Sequence, residues 1–280
     1  MKLSVIVTTY NRPDALKKVL EALYAQTRLP DEILVADDGS GPKTRTLLGS
    51  FENRSGPAFF HIWQKDLGFR AARARNRAVA ASAGDYLVFL DGDCIPDRYF
   101  VSDHLDLAES GCFFQGKRVL VDGKSTPAFD KTDCFSFGRL VCQTLAGRLG
   151  NAHHIFRIPF FPSLKKGHRL SGIRSCNMGI FKADVIAVNG FNHDFTGWGR
   201  EDSEFVVRLF KYGLVRKEHP FRAVCYHLWH PENPRTRLAD NDRLLEQSMA
   251  AGSHVCKNGL NSLEMNTTPS HLNSSENRTG

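Results

Sequence analysis

Several features that would place the chain in a common protein class are missing from its 280 residues. No stretch approaches the roughly 18 consecutive apolar residues that a membrane-spanning helix needs. The G-x-G-x-x-G fingerprint of dinucleotide-binding folds and the phosphate-binding loop of nucleoside triphosphatases are both absent. No two cysteines have C-x-x-C spacing, which disfavours a zinc or redox pair. These absences remove the usual markers of membrane-spanning, dinucleotide-dependent and nucleotide-hydrolysing proteins.

The N-terminus and the cysteines favour a reducing compartment. The first apolar run turns polar at Thr8 after only five core residues, which is too short for a secretory signal. The seven cysteines are odd in number, and several lie in apolar stretches, as is typical of reduced core thiols. We therefore expect a cytoplasmic protein.

The composition is that of a globular protein, but the charge is unevenly distributed. Hydrophobic residues make up 41% and charged residues 24%, and the net charge is +7. The segment 134–183 contains no Asp or Glu, and its basic residues are Arg139, Arg148, Arg157, Lys165, Lys166, Arg169, Arg174 and Lys182. This segment predicts contact with an anionic membrane surface; the alternative is a solvated basic face beside a Phe-Pro loop. No nucleic-acid-binding module is recognisable, so we expect no nucleic-acid partner.

Buried-strand patterns alternate with helical patterns along the first hundred residues. Strands are predicted at 3–8, 32–36, 58–63 and 86–90, and helices at 13–26, 43–54, 70–83, 97–109 and 201–212. Repeated βα units of this length predict an α/β fold, with a mostly parallel sheet and helices on both faces. From Lys257 onward Asn, Ser and Thr dominate, which predicts a disordered tail.

Polar groups follow the predicted strands at Thr8, Asp37-Asp38 and Asp91-Gly92-Asp93. Ligands of parallel sheets bind beyond the carboxyl ends of the strands, so we expect these groups to share one crevice. Two carboxylates two residues apart can bind a hard cation that also contacts a diphosphate. Loop aspartates at strand ends are also common without a metal.

Two later segments carry further candidate residues. In Gly197-Trp198-Gly199-Arg200-Glu201-Asp202, the Trp offers a flat face for a sugar ring, and the acids begin a helix. Favourable interaction with the helix dipole would explain one or two acids at the start of the helix, but it would not explain a Trp with a glycine on each side. In Tyr226-His227-Leu228-Trp229-His230, a histidine could complete a metal site, although a histidine in an apolar run is more often structural.

The ordered combination of these segments resembles a known family. VIVTTYNRP (5–13), DDGS (37–40), GFRAARARNRAVAASAGDYLVFLDGD (68–93), SCNMGIF (175–181) and GFNHDFTGWGREDSE (190–204) resemble family 2 glycosyltransferases of the Rossmann-like GT-A fold. The later segments resemble the subgroup related to bacterial chondroitin polymerases and animal β-1,4-galactosyltransferases. The resemblance covers roughly residues 1–235. It implies a nucleotide-sugar-binding half (1–100), an acceptor and catalytic half of the same domain (101–256, with a C-terminal acceptor-side region) and a tail (257–280).

The resemblance also implies roles for individual residues. Thr8, which stands where Pro is usual, would hold the uridine together with Tyr10 and Asp38, and Arg70 would lie near the diphosphate. Asp91 and Asp93 match the family's D-x-D motif, with Asp93 as the direct ligand of Mn²⁺ or Mg²⁺ and Asp91 near both nucleotide and metal. His227 would complete the metal site, with His230 as the competing ligand. Trp198 and Glu201 would contact donor or acceptor sugar, and Asp202 matches the catalytic base of inverting members.

The expected activity is inverting, metal-dependent transfer of a hexose or N-acetylhexosamine from a UDP-sugar to a saccharide acceptor. A lipid-linked, lipopolysaccharide or capsule-type acceptor at the inner membrane face would explain the basic segment. One alternative is an inactive sugar-nucleotide or glycan-binding protein on the same fold, which the presence of Asp91, Asp93 and Asp202 disfavours. Another is a nucleotidyltransferase, which would need a Gly-rich loop where this chain has Thr8-Thr9-Tyr10.

Overall fold

The structure is a computed structural model that describes residues 1–165, 167–232 and 234–263. The strands are β1 (Leu3–Thr9), β2 (Glu32–Asp37), β3 (Ala58–Trp63), β4 (Tyr86–Asp91), β5 (Cys94–Pro96), β6 (Cys112–Gln115), β7 (Lys117–Val121), β8 (Leu149–Gly150), β9 (Leu164–Lys165), β10 (Asn177–Phe181), β11 (Val215–Glu218) and β12 (Val224–His227). The helices are α1 (Pro13–Leu23), α2 (Pro42–Glu52), α3 (Ala71–Ala81), α4 (Phe100–Leu107), α5 (Lys131–Cys134), α6 (Phe137–Leu145), α7 (Lys182–Ala187), α8 (Glu201–Tyr212) and α9 (Leu238–Ala250). Short 3₁₀ turns occur at Ala152–Ile155 and Leu260–Ser262.

An eight-stranded sheet in the order β3-β2-β1-β4-β10-β6-β11-β9 organises the fold. Strands β1 to β4 are parallel, whereas β10 runs antiparallel to both β4 and β6. Both faces of the sheet are covered, which explains why β1, β2 and β4 are nearly continuous apolar runs. The predicted α/β fold is confirmed, and the antiparallel β10 extends the parallel part.

The core lies on both faces of this sheet, because side chains along a strand alternate between faces. Val5 and Val7 of β1 pack with α1 in one cluster, while Ile6 packs with α3 and α8 in the other. Small alanines on α3 form much of its buried surface. The helices that carry candidate residues are therefore fixed to the strands that carry the rest.

A second sheet in the order β5-β12-β7-β8 was not predicted, because its strands have only two to five residues. Strand β5 follows β4 after a two-residue turn, and His227 on β12 pairs with Cys94 on β5. The backbone N–H of Leu228 also donates to the Asp93 carbonyl at 2.9 Å. This small sheet carries the segment 225–230 to the end of β4.

The ordered chain extends further than predicted at its C-terminal end. Residues 257–263 lie within the predicted tail, yet Asn189 bonds the Cys256 carbonyl and Asn261, and Leu260 packs against the core. The sequence did not predict these contacts, because they are made by a single Leu and by side-chain amides, whereas the prediction relied on the density of apolar residues. The rest of the predicted tail, 264–280, lies outside the described residues.

The basic segment 134–183 contains several cations that are already partnered by the protein. Arg157 forms an ion pair with Asp103, Lys165 pairs with Glu109, and Lys182 donates to the Ser82 carbonyl. Lys166 lies outside the described residues. The segment also exposes apolar side chains, with Phe160 96% and Leu145 83% exposed. Within the described ranges, no helix is long and apolar enough to cross a membrane.

Candidate active site

The polar ends of three neighbouring strands lie side by side. Thr8 on β1 pairs with Asp91 on β4, and Thr9 pairs with Asp37 on β2. The order of the parallel strands thus brings the three polar groups to one edge of the sheet, as expected from the carboxyl ends of parallel strands. This edge is the framework of the site.

Asp38 is held in a small, buried hydrogen-bonding pocket. Its carboxylate accepts from the Gln64 side chain at 2.5 Å and from the backbone N–H of Arg70 at 2.6 Å. Burial raises the pKa of Asp38, and these two donors oppose that effect. The Arg70 side chain itself donates to the Lys65 carbonyl. The pocket therefore joins the end of β2 to the start of α3.

Tyr10 lies at the rim of the same edge with its ring exposed. Its hydroxyl donates to Asp66 at 2.9 Å. This bond, which stabilises the protonated phenol, raises the pKa of Tyr10. A planar, exposed ring at this edge of the sheet is suited to stacking on a base or a sugar.

A tight turn at Gly92 places Asp91 and Asp93 in different surroundings. The Gly92 N–H donates to the Thr8 carbonyl at 2.7 Å, and a Cβ on Gly92 would lie 2.9 Å from that oxygen. Glycine is needed here because the backbone approaches β1 so closely. Asp91 points toward Arg75, while Asp93 points toward the small sheet.

Asp93 lies in a cluster of groups that can bind a metal. Ligand atoms of Asp93, Cys94 and His227 all lie within 4.8 Å of one another. The Nε2 atom of His227 is 3.8 Å from Oδ1 of Asp93, and that of His230 is 3.5 Å from Oδ2. Both histidines thus remain candidates. Arg12 Nη1 donates to Asp93 Oδ2 at 2.5 Å, so a cation already balances this carboxylate.

The donor set fits a divalent cation of the Mn²⁺ type. Burial and the charge of Arg118 lower the pKa of His227 to about 4, so its imidazole is neutral at pH 7 and can act as a ligand. Burial raises the pKa of the Cys94 thiol well above its usual value, which disfavours a thiolate ligand. Carboxylate oxygen is a suitable ligand for both Mn²⁺ and Mg²⁺. A neighbouring imidazole favours Mn²⁺ over Mg²⁺, because imidazole nitrogen binds transition metals better.

Arg75 occupies the centre of the site and has its side chain only 5% exposed. Its Nε donates to Thr8 Oγ1 at 3.2 Å, Nη1 to Glu201 at 3.3 Å, and Nη2 to Asp91 at 3.4 Å. Its guanidinium also lies 5.3 Å from the centre of the Phe191 ring. Burial alone would lower the pKa of Arg75, but the charges of Asp91 and Glu201 raise it.

Asp202 lies in the first turn of α8, where the N-terminal end of the helix favours negative charge. It accepts from the Ser203 N–H at 2.7 Å and from the Ser175 N–H at 3.4 Å. Burial and the neighbouring charge of Glu201 nevertheless raise the pKa of Asp202 to about 6. A carboxylate with this pKa is ionised at pH 7 and is a better base than an ordinary Asp.

The turn before α8 presents Trp198 to solvent. Gly197 and Gly199 flank it with φ angles of +74° and +105°, a region that favours glycine. The Arg235 guanidinium lies 5.3 Å from the Trp198 ring centre. The exposed ring lies in the turn that precedes the acids of α8, and it can receive a sugar.

The structure groups the residues predicted from sequence into three neighbouring sets. Thr8, Asp91 and Glu201 meet at Arg75; Asp93, His227 and His230 meet at the small sheet; and Asp38 meets the Arg70 backbone. Tyr10 and Trp198 contact other partners, Asp66 and Arg235.

Sequence reasoning missed Arg12, Gln64 and Arg75. Arg75 had a detectable signal, since it follows Ala72 by three residues and precedes Val79 by four, on the buried face of α3. A charged residue on such a face needs buried partners. Gln64 and Arg12 carry no comparable pattern.

The chain belongs to glycosyltransferase family 2. The description "Glycosyl transferase family 2" matches residues 4–185, and "N-terminal domain of galactosyltransferase" matches residues 159–231, which include Trp198, Asp202 and His227. These matches confirm the resemblance inferred from the sequence motifs. The residues just described thus form the candidate active site of a glycosyltransferase domain.

Curated relatives support this assignment. The chain is 32% identical over 261 residues to validoxylamine A glucosyltransferase of Streptomyces hygroscopicus subsp. limoneus, covering 88% of this chain and 56% of that protein. It is 30% identical over 232 residues to hyaluronan synthase of Pasteurella multocida, covering 77% of this chain and 23% of that protein. It is 26% identical over 272 residues to chondroitin synthase of Escherichia coli, covering 90% and 37%. The chain thus spans about half the length, or less, of these relatives.

Solved structures support the fold. The crystal structure of S. aureus TarS residues 1–349 superimposes with a TM-score of 0.62 at 16% identity, covering 89% of this chain and 65% of that one. The same TarS fragment in complex with UDP-GlcNAc gives a TM-score of 0.59, covering 89% and 66%. This similarity places the chain in the GT-A fold.

Proposed function

We propose that the protein transfers a hexose or N-acetylhexosamine from a UDP-sugar to a hydroxyl of a saccharide acceptor, with inversion at the anomeric carbon. The observation that carries this proposal is Asp202, a partly buried carboxylate with a raised pKa at the start of α8. It belongs to the same arrangement as Asp91, through Glu201 and Arg75. TarS structures with UDP and with UDP-GlcNAc support a UDP-sugar donor.

In this mechanism Asp202 removes the proton from the acceptor hydroxyl as its oxygen attacks the anomeric carbon. The bond from that carbon to the diphosphate oxygen breaks, and its electron pair leaves with UDP. The N–H groups of Ser203 and Ser175 hold the carboxylate in place. A single displacement from the face opposite the leaving group inverts the configuration.

Other residues of the chain would bind the donor. The exposed ring of Tyr10 and the pocket of Asp38 would receive the uridine, and Arg70 at the start of α3 would lie near the diphosphate. Asp93 would hold a divalent cation, Mn²⁺ or Mg²⁺, with His227 or His230 and with Asp91 nearby. When bound, such a cation supplies positive charge that stabilises the departing diphosphate. Trp198 and Glu201 would orient the sugar.

The acceptor is proposed to be a lipid-linked, lipopolysaccharide or capsule-type glycan at the inner face of a membrane, with the protein cytoplasmic and in peripheral contact. The exposed apolar side chains in 134–183 favour this, since they lie in a segment that has no acidic residue. The internal pairing of Arg157 and Lys165 leaves fewer cations for lipid than the sequence suggests. Membrane contact would then depend on apolar insertion as well as charge.

Replacing Asp202 by Asn tests the catalytic role. The amide cannot accept the proton, so we expect turnover to fall about 10²–10⁴-fold while UDP binding is retained. Asp194→Asn, an exposed position in the segment that precedes α8, is the matched control and should keep parental turnover. NMR of the product's anomeric configuration tests inversion. A folded Asp202→Asn variant with near-parental turnover would contradict the assigned role.

A further inference from the structure

Arg75 contacts three elements that the fold brings to the site from distant parts of the sequence. Thr8 ends β1, Asp91 ends β4, and Glu201 begins α8. Each of the guanidinium's three nitrogens thus donates to a different element. Thr8 and Asp91 belong to the donor half, whereas Glu201 belongs to the acceptor half.

The chemistry of the three acceptors explains why an arginine is needed. A guanidinium presents its donors in a rigid, planar fork and stays charged when buried, whereas a lysine is a single point charge on a flexible stem. Its contacts of 3.2–3.4 Å are longer than the roughly 2.7–2.9 Å typical of charge-assisted hydrogen bonds. A movement of α8 relative to β4 would change the distance from Arg75 to Glu201 relative to its distances to Thr8 and Asp91.

We propose that Arg75 is a positioning residue that aligns the acids at the start of α8 with the end of β4, so that base and donor stand in the reacting arrangement. This inference rests on the proposed function. Arg75 acts through its neighbours: it holds Glu201, which precedes the base Asp202, and Asp91, which leads into the Gly92 turn. Misalignment of about 1 Å between reacting groups can cost about 100-fold in rate.

Arg75 also affects the charge of the base. The charged groups that face Asp202 are Glu201 on its own helix and Arg75 on α3, while Ser175 contributes a backbone N–H. Removing the positive charge leaves Glu201 unopposed, which favours the protonated form of Asp202. The acid limb of the pH–rate profile then moves to higher pH, because the base must be ionised to act.

Two variants separate position from charge. Arg75→Lys keeps the positive charge but loses the planar set of three donor nitrogens. We therefore expect kcat to fall about 100-fold, with the acid limb of the pH–rate profile near its parental position. Arg75→Gln loses both, so kcat falls and the acid limb moves to higher pH. In both variants the KM for the UDP-sugar should change less than kcat. Arg77→Gln, on the same helix with its side chain donating to the Trp63 carbonyl, is the control.

The results distinguish this inference from the broader proposal. Thermal unfolding establishes that each variant is folded. If Arg75→Gln does not fold, the kcat of Arg75→Lys tests the positioning role by itself. A folded Arg75→Lys enzyme with parental kcat would overturn the positioning role, as would an Arg75→Gln enzyme with unchanged kcat and acid limb. A parent protein that transfers no sugar from any UDP-sugar and binds no UDP would instead refute the proposed function.

Discussion

At the scale of single residues, the site depends on carboxylates whose environments differ. Asp38 is buried among hydrogen-bond donors, Asp93 lies beside Arg12 and two histidines, and Asp202 lies at a helix start beside Glu201. Acids placed in different surroundings can bind ligands or remove protons within one site.

The raised pKa of Asp202 predicts the pH dependence of the reaction. Because burial and Glu201 raise this pKa to about 6, the base is ionised above that pH and protonated below it. We expect kcat/KM for the acceptor to fall about tenfold for each pH unit below about 6. Initial rates between pH 4.5 and 8 measure this limb. A flat profile across this range, in protein that stays folded, would exclude Asp202 as the base.

The sequence predicted those candidate site residues that lie within a short, recognisable motif. Asp91, Asp93 and Asp202 stand at strand or helix ends that hydrophobic patterns delimit. Arg75 and Gln64 bond to residues that are distant in sequence, so only the folded chain reveals their partners.

At the scale of elements, the β4–β5 turn connects the large sheet with the small one. Its conformation places Asp91 and Asp93 on opposite sides, toward Arg75 and toward His227. The first four strands were predictable from their apolar runs, and α8 was predictable from apolar residues at helical spacing. Strands of the small sheet have too few residues to show a pattern, and helix α5 has only four residues.

Gly92→Ala tests the importance of this turn. Its Cβ would lie 2.9 Å from the Thr8 carbonyl and 3.1 Å from the Thr9 hydroxyl, so the turn must move. We expect a loss of about 1–3 kcal/mol in the free energy of unfolding and a greater loss of activity, since both aspartates shift. Gly49→Ala, which has open space on helix α2, is the control. Denaturant unfolding measures the change in stability, and turnover measures the change in activity. Parental stability and turnover in Gly92→Ala would contradict the importance of this turn.

At the scale of the whole molecule, residues before and after position 100 share one sheet and the two larger core clusters. Phe89 on β4 packs on Phe191 with ring centres 5.1 Å apart, and Phe191 stacks on Phe205 of α8 at 4.3 Å. The division at residue 100 remains a functional proposal, since the two parts are joined by continuous packing. The acid-free segment 134–183 contributes β10 to the interior of the large sheet, whereas its side chains Leu145 and Phe160 are exposed.

The exposed apolar side chains predict binding to lipid vesicles. We expect the protein to co-sediment with vesicles that contain anionic lipid, and the double variant Phe160→Ser, Leu145→Ser to bind at least about tenfold more weakly, because burying such a side chain contributes about 1.5–3 kcal/mol. Ile186→Ser, an exposed apolar position outside the segment, is the control. Equal binding of all three, or none by the parent, would contradict the proposed membrane contact.

The most direct test of the central claim is calorimetric titration of the protein with UDP, with and without Mn²⁺. We predict UDP binding that strengthens with Mn²⁺, is lost in Asp93→Ala and is not reproduced by GDP. Asp14→Ala, an acidic residue in the first turn of α1, controls for loss of a carboxylate elsewhere. Absence of UDP binding by folded protein, with or without Mn²⁺, would contradict the assignment of a UDP-sugar donor site.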